Sequence, residues 1–563
     1  MDSVNSFKGY GKVDEAQNIA LKKKTRKRII LLAVSVVLLI VLIIAAVIAT
    51  VVHKSSSSSS KTTSPFESTT LKTMCSVTRY PESCIYSISK LPSSNTTDPE
   101  TLFKLSLKVI INELDSISDL PEKLSTQTKD ERLKSALRVC GELIEDSLDR
   151  LNDTVSTMEA ENKKDVNIED LKTWLSSVVT NHETCFDSLH ELNKTESITE
   201  DLRSAMNRTT EFSSNSLAIV TKILSVLDEF VGGGRRKLLS EEWARRRLLQ
   251  TVDMKVDVTV ASDGSGDVLT VNEAVARVPK KSLKVFVIYV KSGVYKENVV
   301  MDKSKWNVMV FGDGIGKTII SGGKNFVDGT PTYETATFAI QGKGFIMKDI
   351  TIINTSGAIK HQAVAFRSGS DFSVYYQCSF DGFQDTLYPH SNRQFYRNCD
   401  VTGTIDFIFG SAAVVFQDCN IMPRQPLPNQ FNTITAQGKK DPNQNSGMSI
   451  QRCTISNNGN VTAPTYLGRP WKDFSTTVIM ETAIGAVVRP SGWMSWVSGV
   501  DPPASIVYGE YMNTGPGSDV TKRVKWVGYK PVMSAADAAK FTVATLLHGN
   551  DWIPATGVTH QLS

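Results

Sequence analysis

The sequence predicts a mainly β protein in which a parallel β-helix follows an all-α four-helix bundle and an N-terminal membrane span. Three observations support this prediction. A six-residue phrase recurs at central steps of 21 and 20 residues in the second half of the chain, as expected for coils of a β-helix. Earlier segments repeat apolar residues on one helical face, and an uncharged segment near the N terminus is long enough to cross a bilayer.

The length and charge of the chain leave several functions open. Its 563 residues allow more than one domain, and a hydrophobic content of 40% is typical of a globular protein. The formal net charge of +4 mildly favours a polyanionic partner without selecting one.

The N-terminal segment has the pattern of a signal-anchor. Residues 1–28 end in the basic run KKKTRKR, and residues 29–52 are 24 positions without a charge. At about 1.5 Å per residue this stretch crosses a bilayer, whereas a cleaved signal peptide has a shorter apolar core of roughly 7–15 residues. We expect residues 1–28 in the cytosol, 29–52 in the membrane, and a Ser/Thr-rich linker at 53–70 on the translocated side.

Two further features agree with translocation. The chain has eight cysteines, which in an oxidising compartment favour disulfides over metal sites. It also has six N-x-S/T sequons for glycosylation, at Asn95, Asn152, Asn193, Asn207, Asn354 and Asn460.

Residues 71–229 predict an antiparallel four-helix bundle. One apolar face consists of Leu133, Leu137, Cys140, Ile144, Leu148 and Leu151, and the next of Leu171, Leu175, Val178, His182, Cys185 and Leu189. Cys75 and Cys84 bracket a short turn, and Cys140 and Cys185 lie on successive helices, so we expect the disulfides Cys75–Cys84 and Cys140–Cys185. His182 is expected to be a core residue because it shares the apolar face.

Residues 230–249 predict an exposed linker. Three glycines at 232–234 are followed by two basic runs. Basic runs in a linker are usually only solvated charge, although exposed Gly-rich linkers are accessible to proteases. The arginines of the two runs are Arg235, Arg236, Arg245, Arg246 and Arg247.

Strand patterns dominate residues 250–563. The six-residue phrase occurs at 347–352, 375–380, 396–401, 416–421 and 450–455. Its fourth position is occupied by Ile350, Cys378, Cys399, Cys419 and Cys453. On a β-helix, equivalent residues of adjacent coils lie about 4.8 Å apart.

Asp385 and Asp406 are 21 residues apart, so we expect them to lie side by side on adjacent coils. Of two carboxyl groups at this distance, one tends to hold a proton while the other stays ionised. The first can then act as an acid and the second as a nucleophile. Apolar residues follow Asp406, which argues against a merely solvated pair. The sequence has no G-x-S-x-G, H-E-x-x-H or EF-hand motif, so we expect a carboxylate mechanism without a metal or cofactor.

Four motifs in this region resemble the signature motifs of plant pectin methylesterases. They are HQAVAF at 361–366, QDTLY at 384–388, DFIFG at 406–410 and LGRPW at 467–471. The segment containing TRYPESC at 78–84 resembles the pectin methylesterase inhibitor family. The resemblance implies a right-handed parallel β-helix that removes methyl esters from homogalacturonan with release of methanol. It also implies that the two basic runs of the linker are processing sites, and that the bundle restrains the enzyme until a subtilisin-like protease cuts there and releases a mature enzyme that begins near Gln250.

The resemblance assigns roles to individual residues. It implies that Asp406 attacks the ester carbonyl, while Asp385 serves as acid and then as base. The side-chain amides of Gln362 and Gln384 would stabilise the oxyanion, and Arg469 would hold Asp406. The implied substrate contacts come from Thr332, Gln362, Arg469 and Trp471.

The same resemblance places the mature protein in the plant cell wall, after a membrane-anchored pro-form in the secretory pathway. Free inhibitor proteins are further expected partners, and nucleic acid is not. Two alternatives stay open: a pectate lyase or polygalacturonase on the same architecture, since a fold alone does not fix function, and a non-enzymatic inhibitor acting through the bundle.

The cysteines of the β-helix region are predicted to form a column. Cys378 and Cys399 would lie one coil apart, inside the Cα separation of about 4.4–6.8 Å that a disulfide accepts. Pairing Cys399 with Cys419 would leave Cys378 and Cys453 too far apart. We therefore predict the disulfides Cys378–Cys399 and Cys419–Cys453, the second requiring residues 422–449 to loop out without adding a coil.

Overall fold

The computed structural model describes residues 69–159, 167–192, 196–224 and 255–562. The predicted membrane anchor, the processing arginines and Asn193 lie outside these residues. None of the helices within the described ranges is both long and apolar enough to cross a bilayer.

The first part of the described chain is helical. It comprises α1 Thr69–Cys75, α2 Pro81–Ser89, α3 Pro99–Ser116, α4 Leu120–Gln127, α5 Glu131–Glu159, α6 Ile168–His190 and α7 Glu196–Ile219, which continues as a π-helical turn at Val220–Leu224. The four long helices α3, α5, α6 and α7 match the predicted bundle. The three short helices were not predicted.

Local sequence signals explain where two of the long helices begin. The Asp98 side chain accepts hydrogen bonds from the backbone N–H groups of Glu100 and Thr101, and the Asn167 side chain accepts one from that of Glu169. Both are residues that favour the N-cap position, because their oxygens satisfy N–H groups that lack a partner within the helix.

The cysteines and the histidine of the bundle agree with the predictions. Disulfides join Cys75 to Cys84 and Cys140 to Cys185, with Cα separations of 5.7 and 4.7 Å. His182 is fully buried, and this burial lowers its pKa to about 3. It is therefore a neutral core histidine.

The second part of the described chain is a parallel β-helix with three sheets. Sheet 1 contains β1 Val258–Val260, β2 Phe286–Val290, β5 Val308–Phe311, β8 Ile346–Lys348, β11 Ser373–Tyr376, β14 Arg393–Arg397, β17 Ala413–Gln417, β20 Gly447–Gln451, β23 Thr476–Met480, β25 Val507–Tyr511 and β26 Tyr529–Lys530. Sheet 2 contains β3 Gly293–Lys296, β6 Thr318–Gly322, β9 Thr351–Asn354, β12 Ser379–Asp381, β15 Asp400–Gly403, β18 Asn420–Pro423, β21 Thr454–Ile455 and β24 Ala483–Ile484. Sheet 3 contains β4 Val299–Met301, β7 Phe338–Ile340, β10 Phe366–Ser368, β13 Leu387–Pro389, β16 Ile408–Gly410, β19 Asn432–Gln437 and β22 Thr465–Gly468.

Three short α-helices and several 3₁₀ turns complete this part. Helix α8 Val271–Arg277 begins with a capping box between Thr270 and Glu273. Near the C terminus, α9 Ala535–Ala538 is capped by Ser534, and α10 Val543–Leu546 follows after a 3₁₀ turn. The single terminal helix that the sequence suggests at 534–547 is thus interrupted.

The repeated phrase corresponds to the corner between sheet 1 and sheet 2. Its third, polar position is Asp349, Gln377, Asn398, Asp418 or Arg452, and each has a φ between 52° and 57°. This left-handed conformation turns the chain from one sheet into the next, and short polar side chains such as Asp and Asn adopt it more readily than most others. The next position points into the core, where Ile350 and the four cysteines are buried.

The predicted column of cysteines is present, but the two predicted disulfides in it are wrong. Cys378, Cys399, Cys419 and Cys453 are all buried free thiols. Each sulfur points back toward the preceding coil: Cys399 Sγ lies 3.4 Å from the carbonyl oxygen of Tyr375, and Cys453 Sγ lies 3.4 Å from that of Phe416. Because the side chains share one orientation, the sulfurs repeat with the coils instead of turning toward one another in pairs.

The coil between Cys419 and Cys453 contains a strand as well as loops. Asn420 pairs with Thr454 in sheet 2, so the two cysteines are one coil apart as predicted. However, the segment 422–449 does not loop out as a whole, because it contains strand β19. The residues that make this coil longer than its neighbours lie in the loops before and after that strand.

Glycosylation at Asn354 does not fit this fold. The Asn354 side chain is 2% exposed, and its Nδ2 donates hydrogen bonds to the carbonyl oxygens of Lys324, Thr335 and Val364 at 2.9, 3.5 and 3.0 Å. A glycan on this nitrogen would break the arrangement. Asn95, Asn152, Asn207 and Asn460 are exposed, and their glycosylation stays a prediction.

We predict four reactive thiols in the denatured, unreduced protein. Alkylation in denaturant followed by peptide mapping should label Cys378, Cys399, Cys419 and Cys453, because they are free in the fold. The bundle cysteines, which are bonded, should be labelled only after reduction. A disulfide between any two of the β-helix cysteines would contradict the orientation described above.

Candidate active site

Sheet 3 brings Asp385 and Asp406 together. Each residue lies two positions before a strand, β13 or β16, and these strands pair with Leu387 opposite Ile408. The aspartates therefore occupy equivalent positions on adjacent coils, as the 21-residue spacing predicts. Both have left-handed φ angles, 63° and 50°, at the turn that leads into sheet 3.

Three donors converge on the carboxylate of Asp406. Arg469 donates from Nε to Oδ1 at 2.9 Å and from Nη2 to Oδ2 at 2.6 Å, which is a bidentate pair. The hydroxyl of Thr433 donates to Oδ1 at 2.6 Å and also accepts the backbone N–H of Asp406 at 2.9 Å. These bonds compensate the negative charge of Asp406 and fix its orientation.

Asp385 has a different environment. It is 7% exposed, and within the described part of the chain we find no hydrogen-bond donor to its carboxyl group. Burial raises its pKa well above the usual value, and the negative charges of Asp406 and Glu191 raise it further. Asp385 is thus suited to hold a proton beside an oriented carboxylate.

Both aspartates face a cavity of about 260 Å³. The β-helix contributes Thr332, Tyr333, Gln362, Gln384, Asp385, Tyr388, Asp406, Phe409, Ala436, Arg469, Trp471 and Trp496 to its lining. All seven residues to which the sequence assigned catalysis or substrate contact in this domain are in that set. The helical part lines one side of the cavity with Thr184, Asp187, Ser188, His190 and Glu191, from the end of α6 and the residue after it.

Gln362 and Gln384 are positioned through their backbones. The carbonyl of Gln362 accepts the N–H of Phe326 at 2.9 Å, and that of Gln384 accepts the N–H of Ala363 at 3.2 Å. In the described ranges, neither side-chain amide has a hydrogen-bond partner. Both amides are therefore available to donate to a bound group.

Three residues around the two aspartates were not predicted from the sequence. Thr433 lies in a strand outside the four motifs, and Glu191 belongs to the bundle. Trp496 comes from a long loop after sheet 2, where its ring is stacked with that of Trp471 at a centroid distance of 6.3 Å. The guanidinium of Arg469 lies 4.2 Å from the centroid of the Trp496 ring.

The fold and the site define a class of protein: a parallel β-helix with two carboxyl groups of unequal environment in one cavity, an arrangement suited to carboxylate-based hydrolysis. Comparison with known proteins specifies the class further. The family described as Pectinesterase matches residues 257–550, and the family described as Plant invertase/pectin methylesterase inhibitor matches residues 69–219. The chain belongs to the pectinesterase family.

Individual relatives agree with this assignment. The chain is 81% identical to Pectinesterase 1 of Arabidopsis thaliana over 587 residues, covering 100% of both chains. It is 56% identical to Pectinesterase 3 of Phaseolus vulgaris over 578 residues, covering 99% of each. The structure of pectin methylesterase from carrot aligns with a TM-score of 0.54 at 48% identity, covering 56% of this chain and 100% of that one. The protein is therefore a carboxylic ester hydrolase with an inhibitor-like N-terminal domain, which favours the esterase over the lyase, polygalacturonase and inhibitor alternatives.

We predict that Thr433→Val lowers kcat for methanol release from pectin by about tenfold, since a hydrogen bond to a charged group typically contributes about 1.5–3 kcal/mol. Thr433→Ser keeps the hydroxyl and should retain most of the activity. Circular dichroism would verify that both variants are folded. Equal activity of the Val and Ser variants would contradict a role for this hydroxyl in orienting Asp406.

Proposed function

We propose that Asp406 and Asp385 remove methyl esters from homogalacturonan by a two-step acyl transfer. The observation that carries the proposal is the difference between the two carboxyl groups in one cavity: Asp406 is oriented and compensated by three donors, while Asp385 is buried with a raised pKa. A nucleophile and a proton donor need these two environments.

In the first step, a carboxylate oxygen of Asp406 attacks the carbonyl carbon of the methyl ester. The side-chain amides of Gln362 and Gln384 donate hydrogen bonds to the resulting oxyanion. The tetrahedral intermediate then expels the methoxy group, which Asp385 protonates to give methanol. An anhydride between Asp406 and the galacturonate carboxyl group remains.

In the second step, water hydrolyses this anhydride. Asp385, now ionised, accepts a proton from the water as it attacks the galacturonyl carbonyl carbon. Cleavage of the anhydride restores the Asp406 carboxylate and releases the galacturonate as its free acid, which gives its proton to the solvent, and Asp385 has regained its own proton. Arg469 holds Asp406 in line throughout, and Trp471 with Trp496 offers flat faces for sugar rings.

We predict that Asp406→Asn abolishes methanol release and that Asp385→Asn nearly does so, because neither amide can replace the nucleophile or the proton donor. Gln362→Ala and Gln384→Ala should each lower kcat by about 10²–10³, the usual effect of losing one oxyanion donor. A methanol assay on pectin with folded variants tests this. Activity near that of the unmodified protein in Asp406→Asn would refute the assigned roles.

We further infer that the bundle inhibits the enzyme to which it is joined. The end of α6 forms one wall of the catalytic cavity, where Glu191 accepts the backbone N–H of Thr332 at 3.2 Å. The cavity of about 260 Å³ that remains beside α6 is smaller than the roughly 300–1,000 Å³ of pockets that hold drug-sized ligands. We infer that α6 obstructs the path of a polysaccharide chain across the aspartates.

Polar contacts between the two parts support a specific docked state. Arg393 is 1% exposed and donates to Asp170 of α6 at 2.6 Å, while it also forms a bidentate pair with Asp371 of the β-helix. The hydroxyl of Thr184 lies 2.9 Å from Nε2 of His390. Charges buried in this way are stabilised only when all partners are present, which favours one docked arrangement.

Apolar contacts extend the same interface. Tyr388, Phe409 and Trp471 of the β-helix pack within one apolar cluster together with the core residues of the bundle. Rings that line the cavity are thus covered by helix side chains in this state. Substrate and bundle would compete for the same surface.

Activation would follow from cutting the linker at 230–249. The carrot enzyme, whose whole chain aligns with 56% of this one, supports a β-helix that is folded without the bundle. We propose that a subtilisin-like protease cuts at the basic runs, and that a membrane-anchored precursor releases the mature enzyme to the cell wall.

We predict that inhibition by the bundle weakens as pH rises. Burial raises the pKa of Glu191 from its usual value to about 7 in the docked state. Protonated Glu191 therefore stabilises docking fully below about pH 4.5, and this contribution is lost as pH rises through about 7. Methanol release by the uncut chain, relative to the cut enzyme, should increase between pH 5 and pH 8.

Matched variants test this prediction. Replacing Arg235, Arg236 and Arg245 to Arg247 keeps the chain uncut. In that background, Glu191→Gln should maintain inhibition up to pH 8, whereas Glu122→Gln, at an exposed site on α4, should not. If the uncut chain were as active as the cut enzyme at pH 5, autoinhibition would be refuted.

A further inference from the structure

The loop at residues 439–446 connects β19 with β20, in the coil after β16, and contacts two helices of the bundle. Its own hydrogen bonds fix its shape. The side-chain oxygen of Gln444 accepts the backbone N–H groups of Lys440 at 2.7 Å and Asp441 at 2.8 Å. Asp441 Oδ1 accepts the N–H of Asn443 at 2.8 Å. The loop is therefore shaped by contacts within the β-helix domain, independently of the bundle.

Other polar groups of this loop are directed at the bundle. Gln444 Nε2 donates to the hydroxyl oxygen of Thr180 and to the carbonyl oxygen of Ser176, both at 3.3 Å. Asn445 donates from its N–H to the hydroxyl oxygen of Ser176 at 2.8 Å and from Nδ2 to that of Thr173 at 2.9 Å. The three bundle residues share one face of α6, and none is more than 5% exposed.

The hydroxyl groups of α6 act as acceptors toward the loop, because their own hydrogens are used within the helix. Thr173, Ser176 and Thr180 donate to the carbonyl oxygens four residues earlier, at 2.8, 2.6 and 3.1 Å. The donors of the loop thus meet three oriented oxygens. An aliphatic side chain in their place would leave a buried N–H group without a partner, which is unfavourable.

The carboxylate of Asp441 receives its outer hydrogen bond from the bundle. Its Oδ2 accepts the hydroxyl of Ser214 on α7 at 2.5 Å, and both residues are 3% exposed. Within the described part of the chain, no other donor reaches Oδ2 and no basic side chain forms an ion pair with Asp441. A bundle without a hydroxyl at this position would bury a carboxylate oxygen against carbon, at a large cost in free energy.

Recognition at this loop also positions the bundle over the catalytic cavity. Gly438, directly before the loop, packs so closely against Trp471 that a Cβ atom there would lie 2.8 Å from the indole ring. The α6 residues that line the cavity begin with Thr184, about one turn after Thr180. A bundle that fits the loop therefore brings the end of α6 to the aspartates.

We propose that loop 439–446 determines which four-helix bundles the cut enzyme binds. The inference rests on the proposed function, since it takes the docked state as the inhibited one. After the linker is cut, the β-helix can meet separate bundles, including a second copy of its own. It accepts a bundle that presents the acceptors of α6 and a hydroxyl donor at the position of Ser214, and it rejects one whose corresponding residues are apolar.

The first test measures the dissociation constant of the bundle, which does not depend on turnover. The full chain, with a site-specific protease sequence in its linker and a dye on its bundle, is cut and diluted in steps at pH 5. Ser214→Ala removes the donor, Asp441→Ala removes its acceptor, and the double variant completes the cycle. Asn445→Ala removes the bond to Thr173 and keeps the internal bonds of the loop. Ser204→Ala, at an exposed site on α7, is the control.

We expect Ser214→Ala to raise the dissociation constant at least about tenfold, as for loss of a hydrogen bond to a charged group, and Asn445→Ala to raise it about threefold. In the Asp441→Ala background, Ser214→Ala should have less than about a twofold effect, because its partner is absent, and Ser204→Ala should have an equally small effect throughout. An unchanged constant in Ser214→Ala, or the same loss with and without Asp441, would overturn the recognition role.

A competition experiment measures the selection directly. Affinity-tagged cut enzyme is mixed with untagged cut complexes that carry the unmodified or the Ser214→Ala bundle, each with its own dye. The unmodified loop should recover the unmodified bundle in about tenfold excess, and Asp441→Ala should recover both equally. Equal recovery by the unmodified loop would refute the proposal. If bundle-bound enzyme released methanol as fast as bundle-free enzyme, the proposed inhibition would fail instead, and the dissociation constants would still decide the role of the loop.

Discussion

The spacing between adjacent coils is the constraint on which the rest of this structure depends. Parallel strands about 4.8 Å apart hold equivalent residues at a fixed separation, whatever the side chains are. Placing an aspartate at one such position in two successive coils forces two carboxyl groups together. Arg469 and Thr433 then compensate only Asp406, so the pair becomes chemically unequal. The stack of buried side chains behind sheet 3 maintains this geometry.

The same electrostatic demand explains how the bundle binds. A cavity that processes a polyuronate needs cations, and cations buried without anions are unfavourable. Helix α6 supplies the missing carboxylates through Asp170 and Asp187, while Glu191 enters the cavity as an acid that is easily protonated. Docking is therefore favourable because the helix supplies carboxylates to cations of the β-helix that it covers.

Much of this arrangement was accessible from the sequence, because the coil repeat is a short-range pattern. The 21-residue step located Asp385 and Asp406, and the column of cysteines had the correct register. The two disulfides predicted within that column were wrong, because residue spacing predicts the distance between Cα atoms but not the direction in which the sulfurs point. Trp496 and Glu191 were missed because their place in the cavity depends on a loop path and on docking between two parts of the chain, which leave no local pattern. Thr433 was missed because it lies in a strand outside the four motifs.

The connections from sheet 2 to sheet 3 differ in length in a way that shapes the surface. The catalytic coils have short ones, 382–386 before β13 and 404–407 before β16, whereas the long connections 323–337 and 355–365 precede β7 and β10. Long loops project from the surface of a β-helix, whereas short ones stay close to it. The aspartates thus sit at the floor of a trough whose walls can change in height or composition without disturbing the stack, so that the choice of polymer can diverge among relatives while the reaction stays the same.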